Sequence, residues 1–398
     1  MRGVNEPHLA ADRTGPDGVR QRNLARVLRM VHIDGPQSRA TLTEATGLNR
    51  STIADLVGEL AREGLVQERA PEASRRVGRP SPVVAPASRV IAIAANPEVD
   101  ALTIAAVALD QSIPLRARIE LDRLITPEET AGMIAAQLAG WRAAGLADAR
   151  IVGVGLAVPG LVRAADGLVR NAPHLRWIDA PVRDLVESAT GVPTTVGNDA
   201  MLGAVAEHLF GAARGVDDVV YLNGGASGIG GGLIVGGMPI PGAGGYAGEF
   251  GQNRPGIASP ADRRASDGVL EDEVSRARLL AAVELLSADE PTLAAALRAS
   301  TSVAVTEELA RQRRILATAL ANAVNVLNPS VVVLGGFLAT LASHDLEGLE
   351  DAVAAQAMPA SVEGLGIRTA VLAEDRLLIG AAEMAFAEIL RDPAALTS

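Results

Sequence analysis

The residues Asn49-Arg50-Ser51-Thr52 begin a segment whose apolar residues have helical spacing, and their side chains suit contact with DNA. Short polar side chains at the start of a helix allow close approach to base edges in the major groove, and arginine binds phosphates and guanine. We therefore predict that these four residues contact DNA, together with Arg39 on the preceding helix. The alternative is the solvated face of an ordinary three-helix bundle.

A second basic stretch, Arg75-Arg76-Val77-Gly78-Arg79-Pro80, follows this segment. It lies between residues 65–68 and Val83-Val84, which have the composition of two short strands and predict a hairpin with a basic loop, or wing. Proline fixes φ and glycine removes bulk, so the arginine of Gly-Arg-Pro can enter a narrow minor groove. We predict that Arg76 and Arg79 contact DNA. An interdomain linker is the alternative, and the two roles are compatible.

Three helices are predicted to position these residues. The first starts at Gln21, because its apolar residues are spaced i, i+3, i+4 and i+7; they are Leu24, Val27, Leu28 and Val31. Ser38 is a suitable N-cap for a short second helix, and Gly47 suits the tight turn after it. Asn49 caps the third helix, whose predicted buried residues are Ile53, Leu56, Val57 and Leu60. The order of elements predicts a winged helix-turn-helix.

The charge distribution divides the 398-residue chain at about Arg89. Residues 1–89 contain 14 arginines and 10 acidic residues, whereas the rest of the chain contains 22 arginines and 37 acidic residues. The total net charge is -11. A basic head on an acidic body is typical of a DNA-binding module joined to a regulatory domain, although chance would also explain so small an excess. Cysteine is absent and no stretch resembles a signal peptide or membrane span, so we expect a cytoplasmic protein without a membrane partner.

The body alternates apolar runs with Ala- and Leu-rich helices, which predicts an α/β architecture. The predicted strands are 90–95, 102–109, 151–158, 219–222 and 331–334, and the predicted helices are 127–140, 200–209 and 311–325. Thirteen of the 41 glycines lie between Gly224 and Gly251. This density indicates tight turns where backbone approaches a ligand or another strand closely, or a set of structural hairpins.

From about residue 20 to its end, the chain resembles the ROK family of transcriptional repressors and sugar kinases. The motifs that carry the resemblance occur in order: Gly153-Val-Gly-Leu-Ala-Val-Pro-Gly160, Asn171-Ala-Pro-His-Leu-Arg-Trp177, Val196-Gly-Asn-Asp-Ala200, the glycine-rich segment 224–232, Gly248-Glu-Phe-Gly251 and Asn328-Pro-Ser-Val-Val-Val-Leu-Gly-Gly336. The resemblance implies an actin- and hexokinase-like domain of two lobes.

The resemblance also implies a sugar site. In the family's kinases the aspartate of Asn-Asp-Ala is the general base and the asparagine binds the sugar; Asp199 and Asn198 occupy these positions. Carboxylates and amides suit a hydroxyl-rich ligand. We predict that the ligand-binding residues are Asn198, Asp199, Glu249, Gln252 and Glu271. Asp199 could instead cap the helix that starts at Ala200.

Two elements of the family's kinases are degraded. Ile93-Ala94-Ala95-Asn96-Pro97-Glu98 replaces the first phosphate loop, Asp-x-Gly-Gly-Thr, and Glu98 would repel phosphate. Family members usually have a zinc-binding histidine where this chain has Gln252, and the three cysteine positions fall on Asp262, Arg264 and Val269. We therefore expect no catalytic residue, no metal and no cofactor, with Asp199 left at the ancestral base position.

These observations predict a tail (residues 1–18), a winged helix-turn-helix domain (19–85) and a ROK domain (86–398) for ligand binding and oligomerisation. The function expected is repression of sugar uptake or catabolism genes. The partners would be operator DNA, a monosaccharide effector, and further copies of the chain in a dimer or tetramer. The alternatives are an ATP-dependent sugar kinase with an accessory head, and a DNA-binding regulator with no small ligand.

Overall fold

The computed structural model describes residues 16–69, 81–266 and 268–394. Most of the predicted tail, and the whole basic loop with Arg76 and Arg79, lie outside the described residues. Within them, a small N-terminal head precedes a body of two lobes.

The head contains three helices and three short strands in the predicted order: α1 (Pro16–Asp34), β1 (Gln37–Ser38), α2 (Arg39–Thr46), α3 (Arg50–Arg62), β2 (Val66–Arg69) and β3 (Val83–Pro86). Helix α1 begins five residues before the predicted start at Gln21, with Pro16 as its first residue, where proline is favoured. The Ser38 hydroxyl and the Asn49 side-chain oxygen cap α2 and α3 as predicted, and Gly47 has a left-handed backbone.

The strands of the head form one antiparallel sheet in the order β1-β3-β2. The two predicted strands pair with each other, and β1, which is only two residues long and was not predicted, joins the outer side of β3. The apolar residues predicted for α1 and α3 are all at most 2% exposed. The winged helix-turn-helix prediction is therefore confirmed for the described part of the head.

The first lobe is built on a five-stranded sheet in the order β11-β7-β4-β5-β6. Its elements are β4 (Val90–Pro97), β5 (Ala101–Ala108), β6 (Leu115–Glu120), α4 (Pro127–Ala143), β7 (Arg150–Val158), β8 (Leu161–Val162), β9 (Val169–Ala172), β10 (Trp177–Ala180), α5 (Val182–Thr190) and β11 (Thr194–Asn198). The central strands β4 and β5 are buried along their whole length, which explains why they read as continuous apolar runs.

Helix α6 (Asp199–Phe210) follows β11 and leads into the second lobe, whose sheet has the order β14-β13-β12-β15-β16. The elements of this lobe are β12 (Val219–Gly225), β13 (Gly228–Val235), β14 (Met238–Pro239), α7 (Leu270–Glu273), α8 (Arg276–Ala282), α9 (Glu290–Ala299), α10 (Val303–Leu327), β15 (Val331–Gly336), α11 (Phe337–Ser343), α12 (Leu346–Ala354), α13 (Pro359–Val362) and β16 (Gly366–Thr369). Helix α10 begins eight residues before its predicted start at Arg311.

The last helix, α14 (Arg376–Arg391), packs against α6 and against β4, β7 and β11 of the first lobe, while α6 packs on β12 and β13 of the second. Helix α1 of the head also packs on α14. The pair α6 and α14 therefore touches both lobes, and α14 also touches the head. Among the described helices, none is both long and apolar enough to span a membrane.

Candidate functional sites

A cleft of about 840 Å³ lies between the two lobes, and all five predicted ligand-binding residues line it. They come from distant parts of the chain: the β11–α6 junction supplies Asn198 and Asp199, the segment after β14 supplies Glu249 and Gln252, and α7 supplies Glu271. The structure thus brings together side chains with both hydrogen-bond donors and acceptors, which a hydroxyl-rich ligand requires.

Asn198 and Asp199 have different local roles. The Asn198 side-chain oxygen accepts a hydrogen bond from the N–H of Met201 at 2.9 Å, and its Nδ2 donates to the carbonyl of Gly160 at 3.0 Å. Helix α6 therefore starts at Asp199 with Asn198 as its cap, so the alternative role for Asp199, as the cap of a helix starting at Ala200, is wrong. Capping fixes Asn198 against both the helix and the turn at Gly160.

Asp199 is the first helical residue of α6, and its Oδ1 accepts the N–H of Ala200 at 2.8 Å. Burial raises the pKa of Asp199 to about 6, against the opposing attraction of Arg376. At neutral pH the carboxylate is therefore ionised and accepts hydrogen bonds only, which suits a sugar hydroxyl as its donor partner.

Glu271 is held by two groups at the edge of the cleft. Its Oε2 accepts the N–H of Ile229 at 3.1 Å, and its Oε1 accepts Nε2 of Gln252 at 2.6 Å. A Cβ at Gly228 would lie 2.3 Å from Oε2 of Glu271, and one at Gly251 would lie 2.1 Å from the Ile229 carbonyl. The two glycines are thus required for the close approach that positions this carboxylate.

Glu249 completes the group of carboxylates in the cleft. It is partly buried, and burial together with the nearby charges of Asp199 and Glu271 raises its pKa. Three carboxylates that share one concave site give it a negative electrostatic potential, which favours hydroxyl donors over phosphate groups.

The segment predicted to replace the first phosphate loop forms the second half of β4 and the first residue of a tight turn into β5. Pro97 is the last residue of β4, and the N–H of Glu98 donates to the carbonyl of Ala101 at 2.8 Å. Burial and the charge of Asp100 raise the pKa of Glu98 to about 7, against the attraction of Arg118. The hairpin therefore places carboxyl groups where backbone N–H groups would have to cradle phosphate.

Several residues that line the cleft were not predicted as ligand contacts, among them Asn171, His174 and Arg376. Asn171 and His174 lie in the Asn-x-Pro-x-Leu-x-Trp motif, so the motif itself could have indicated them. Arg376 is the first residue of α14 and is 4% exposed. Its guanidinium donates to Glu290 at 2.8 Å and to Asn223 at 3.0 Å, so it joins α9, β12 and α14.

The predicted DNA-binding residues of the head fall into two groups. Arg50 and Ser51 are exposed at the start of α3 and Thr52 is partly exposed beside them. Asn49 caps α3, because its side-chain Oδ1 accepts a hydrogen bond from the N–H of Thr52 at 2.8 Å. The guanidinium of Arg39 is bound by Glu68 of β2, with a 2.7 Å hydrogen bond from Nη2, which ties α2 to the hairpin.

We predict that Arg50→Ala weakens operator binding and reduces the salt dependence of that binding. Among the described residues the Arg50 side chain has no ion-pair partner, so it is available to phosphates. Losing one phosphate contact lowers the slope of log K against log salt by about one. Fluorescence anisotropy at several salt concentrations measures this slope, and Arg62→Ala, an exposed arginine in the last turn of the same helix, is the matched control. Equal effects of the two substitutions would contradict the prediction.

The head is joined to the body by a buried histidine. His32 in α1 is 0% exposed, its Nδ1 lies 2.6 Å from the carbonyl of Leu109, and its Nε2 lies 2.9 Å from Oε1 of Glu383 in α14. The rings of Phe210, the last residue of α6, and Phe386 of α14 meet the imidazole edge-on at 5.6 and 5.9 Å. Both helices that start at the cleft therefore reach the same histidine of the head.

The fold and the cleft define a regulator architecture, in which a winged helix-turn-helix head is fused to a body of sugar-kinase type. The chain belongs to the ROK family, whose model matches residues 99–388. A ROK family transcriptional regulator described as a homolog of the E. coli MLC protein has a solved structure that aligns with a TM-score of 0.73, at 23% identity, over 95% of this chain and 98% of that one.

Characterised relatives include both regulators and enzymes. The xylose repressor of Bacillus subtilis is 27% identical over 81% of this chain and 83% of its own length. The glucokinase of Halalkalibacterium halodurans is 29% identical over 58% of this chain and 74% of its own length. The similarity to the repressor thus extends further along this chain than the similarity to the kinase.

Proposed function

We propose that this protein is a transcriptional repressor that binds operator DNA through its head and releases it in response to a monosaccharide in the cleft. The observation that carries this proposal is the connection of the two sites through α6 and α14. Helix α6 begins with Asp199 in the cleft and ends with Phe210 against His32. Helix α14 begins with Arg376 in the cleft and carries Glu383, the hydrogen-bonding partner of His32.

This connection gives the sugar a physical means of changing operator affinity. A ligand that contacts both lobes favours one relative position of the lobes, and because α6 packs on the second lobe and α14 on the first, a lobe movement changes how the two helices meet. The head packs on α14, so its position changes with them. We further propose a homodimer, since paired heads on palindromic half-sites bind more tightly than one head.

We propose that the body is not a kinase. Phosphoryl transfer depends on positioning and on stabilising charge, and the β4–β5 hairpin offers Glu98 and Asp100 in place of a glycine loop. We predict no ATP-dependent phosphorylation of D-glucose or D-xylose in a coupled assay, under conditions where a ROK glucokinase is active. Turnover above the background would instead favour the alternative of a sugar kinase with an accessory head. The similarity to glucokinases supports that alternative.

The proposed function is tested on operator DNA. A duplex selected from a random library by the full-length protein is titrated with protein, alone and with D-xylose, D-glucose, N-acetylglucosamine or L-arabinose. We expect one sugar to weaken the complex by about 5- to 150-fold, the usual range of coupling between two sites. Operator binding that no sugar changes, together with no heat of sugar binding by calorimetry, would favour a regulator without a small ligand.

A further inference from the structure

The segment between Gln252 and Glu273 corresponds to the zinc loop of ROK proteins, but its residues do not fit zinc. Both carboxylate oxygens of Asp262 are bound by Arg314, at 2.7 and 3.1 Å. Arg264 is a cation and Val269 has no donor atom, so neither can be a ligand. No group of three or more His, Cys, Asp and Glu residues that could hold a metal occurs within residues 16–69, 81–266 and 268–394.

A buried carboxylate occupies the inside of this segment instead. The side chain of Glu273 is 0% exposed, and its Oε1 accepts the backbone N–H groups of Arg264 and Ala265, each at 2.9 Å. Glu273 lies on α7 two residues after Glu271, the carboxylate that enters the cleft. The same short helix therefore carries one acidic residue that binds the loop and one that faces the predicted ligand.

The cation that neutralises Glu273 comes from α10. Arg311 is 2% exposed, and its Nη1 donates to Oε2 of Glu273 at 3.1 Å and to the carbonyl of Asp262 at 2.8 Å. Its Nη2 donates to the carbonyl of Glu273 at 2.7 Å, and Glu308, one turn earlier on α10, accepts from both Nε and Nη2. One guanidinium thus binds the middle of the loop at Asp262, the end of the loop at Glu273, and Glu308 on its own helix α10.

We propose that Arg311, paired with Glu273, replaces the metal of this loop and thereby positions Glu271 for the sugar without zinc. A guanidinium has five N–H donors in a fixed planar arrangement, so it cross-links several oxygens as a metal cross-links its ligands. Here those oxygens are two backbone carbonyls and two carboxylates. This proposal rests on the proposed sugar response, because the role it gives to Glu271 is to contact the effector.

Arg311→Lys is the main test, because lysine keeps the charge but cannot donate from one plane to the five oxygens that Arg311 binds. In the full-length protein we expect the D-xylose or D-glucose concentration that half-releases the operator to rise by about tenfold or more, while operator affinity without sugar stays unchanged. Arg314→Lys is the matched control, since Arg314 binds the same loop at Asp262 but its side chain is 57% exposed. If the Arg311→Lys protein responded to sugar as the wild type does, the proposal would be overturned.

Two measurements separate failure of this proposal from failure of the proposed function. Metal analysis of purified wild-type protein is expected to find no stoichiometric zinc, and a chelator is expected to leave thermal unfolding unchanged; one zinc per chain would overturn the proposal. Hydrogen exchange is expected to accelerate at the amides of Arg264 and Ala265 in Arg311→Lys by about tenfold or more, while the sheet of the second lobe stays protected. Unchanged exchange would overturn the proposal even if no sugar acts on the wild type.

Discussion

Replacing Asp199 by Asn is expected to weaken sugar binding by about 10- to 150-fold and to leave operator binding without sugar unchanged. Hydrogen bonds to a charged group contribute about 1.5–3 kcal/mol, which corresponds to this range of affinity. Asn has nearly the same shape, so the bond to the N–H of Ala200 can be kept while the charge is lost. The measurement is calorimetry with the effector, paired with anisotropy on the operator.

Asp184→Asn is the matched control for Asp199→Asn. Asp184 also lies in the first turn of a helix, α5, but its side chain is 68% exposed and outside the cleft. If both variants bound sugar as the wild type does, the assignment of Asp199 to the sugar would be wrong. If Asp199→Asn also lost operator binding, its effect would be on the fold rather than on the ligand.

The same carboxylate is expected to make sugar binding depend on pH. Because the pKa of Asp199 is raised to about 6, its acceptor form is fully present at pH 8 and is lost as the pH falls through 6. Sugar affinity should therefore fall between pH 7 and 5 in the wild type. In Asp199→Asn this part of the profile should become flatter, and an identical profile in both proteins would contradict the prediction.

The sequence predicted elements well where local signals were strong. Helical spacing and caps predicted the three helices of the head, and apolar runs predicted the central strands because those strands are buried on both faces. The resemblance to the family identified five candidate ligand-binding residues, and all of them line one cleft: Asn198, Asp199, Glu249, Gln252 and Glu271. Strand β1 was not predicted, since two residues carry no periodicity.

The contacts between distant residues could not be predicted from local signals. His32 and Glu383 are 351 residues apart, and an isolated histidine on an apolar helix face gives no indication of its partner. Arg311 similarly reads as one of several arginines on a long helix, yet it is buried while Arg314 is exposed. Which arginine is buried depends on tertiary packing, so only the structure distinguishes them.

Replacing His32 by Ala is expected to uncouple the sugar from the operator without abolishing either interaction. The substitution leaves Glu383 nearly buried without its partner, and breaking a buried ion pair in this way costs about 3–5 kcal/mol. This cost falls on the docking of α1 against α14, because both residues lie in that interface. The effect of sugar on operator affinity should therefore fall to about twofold or less, from the coupling of about 5- to 150-fold expected of the wild type.

The exposed ion pair between Asp34 and Arg214 provides the matched control, because it joins the end of α1 to the segment after α6 at 2.8 Å. Such pairs contribute about 0–1 kcal/mol, so Arg214→Ala should keep most of the coupling. By linkage, sugar affinity should differ between free and operator-bound protein in the wild type and in Arg214→Ala, but not in His32→Ala. Full coupling in His32→Ala would exclude this contact as the connection.

The pH dependence of the coupling distinguishes loss of the ion pair from loss of packing. Burial alone would lower the pKa of His32, but the charge of Glu383 and hydrogen bonds to Glu383 and Leu109 outweigh it, so the pKa lies above 6.5. The pair therefore stabilises docking fully below pH 6.5, and this contribution is lost as the pH rises through the raised pKa. Coupling in the wild type should then weaken towards alkaline pH. His32→Phe, which keeps an aromatic ring beside Phe210 and Phe386 but cannot ionise, should lack this change.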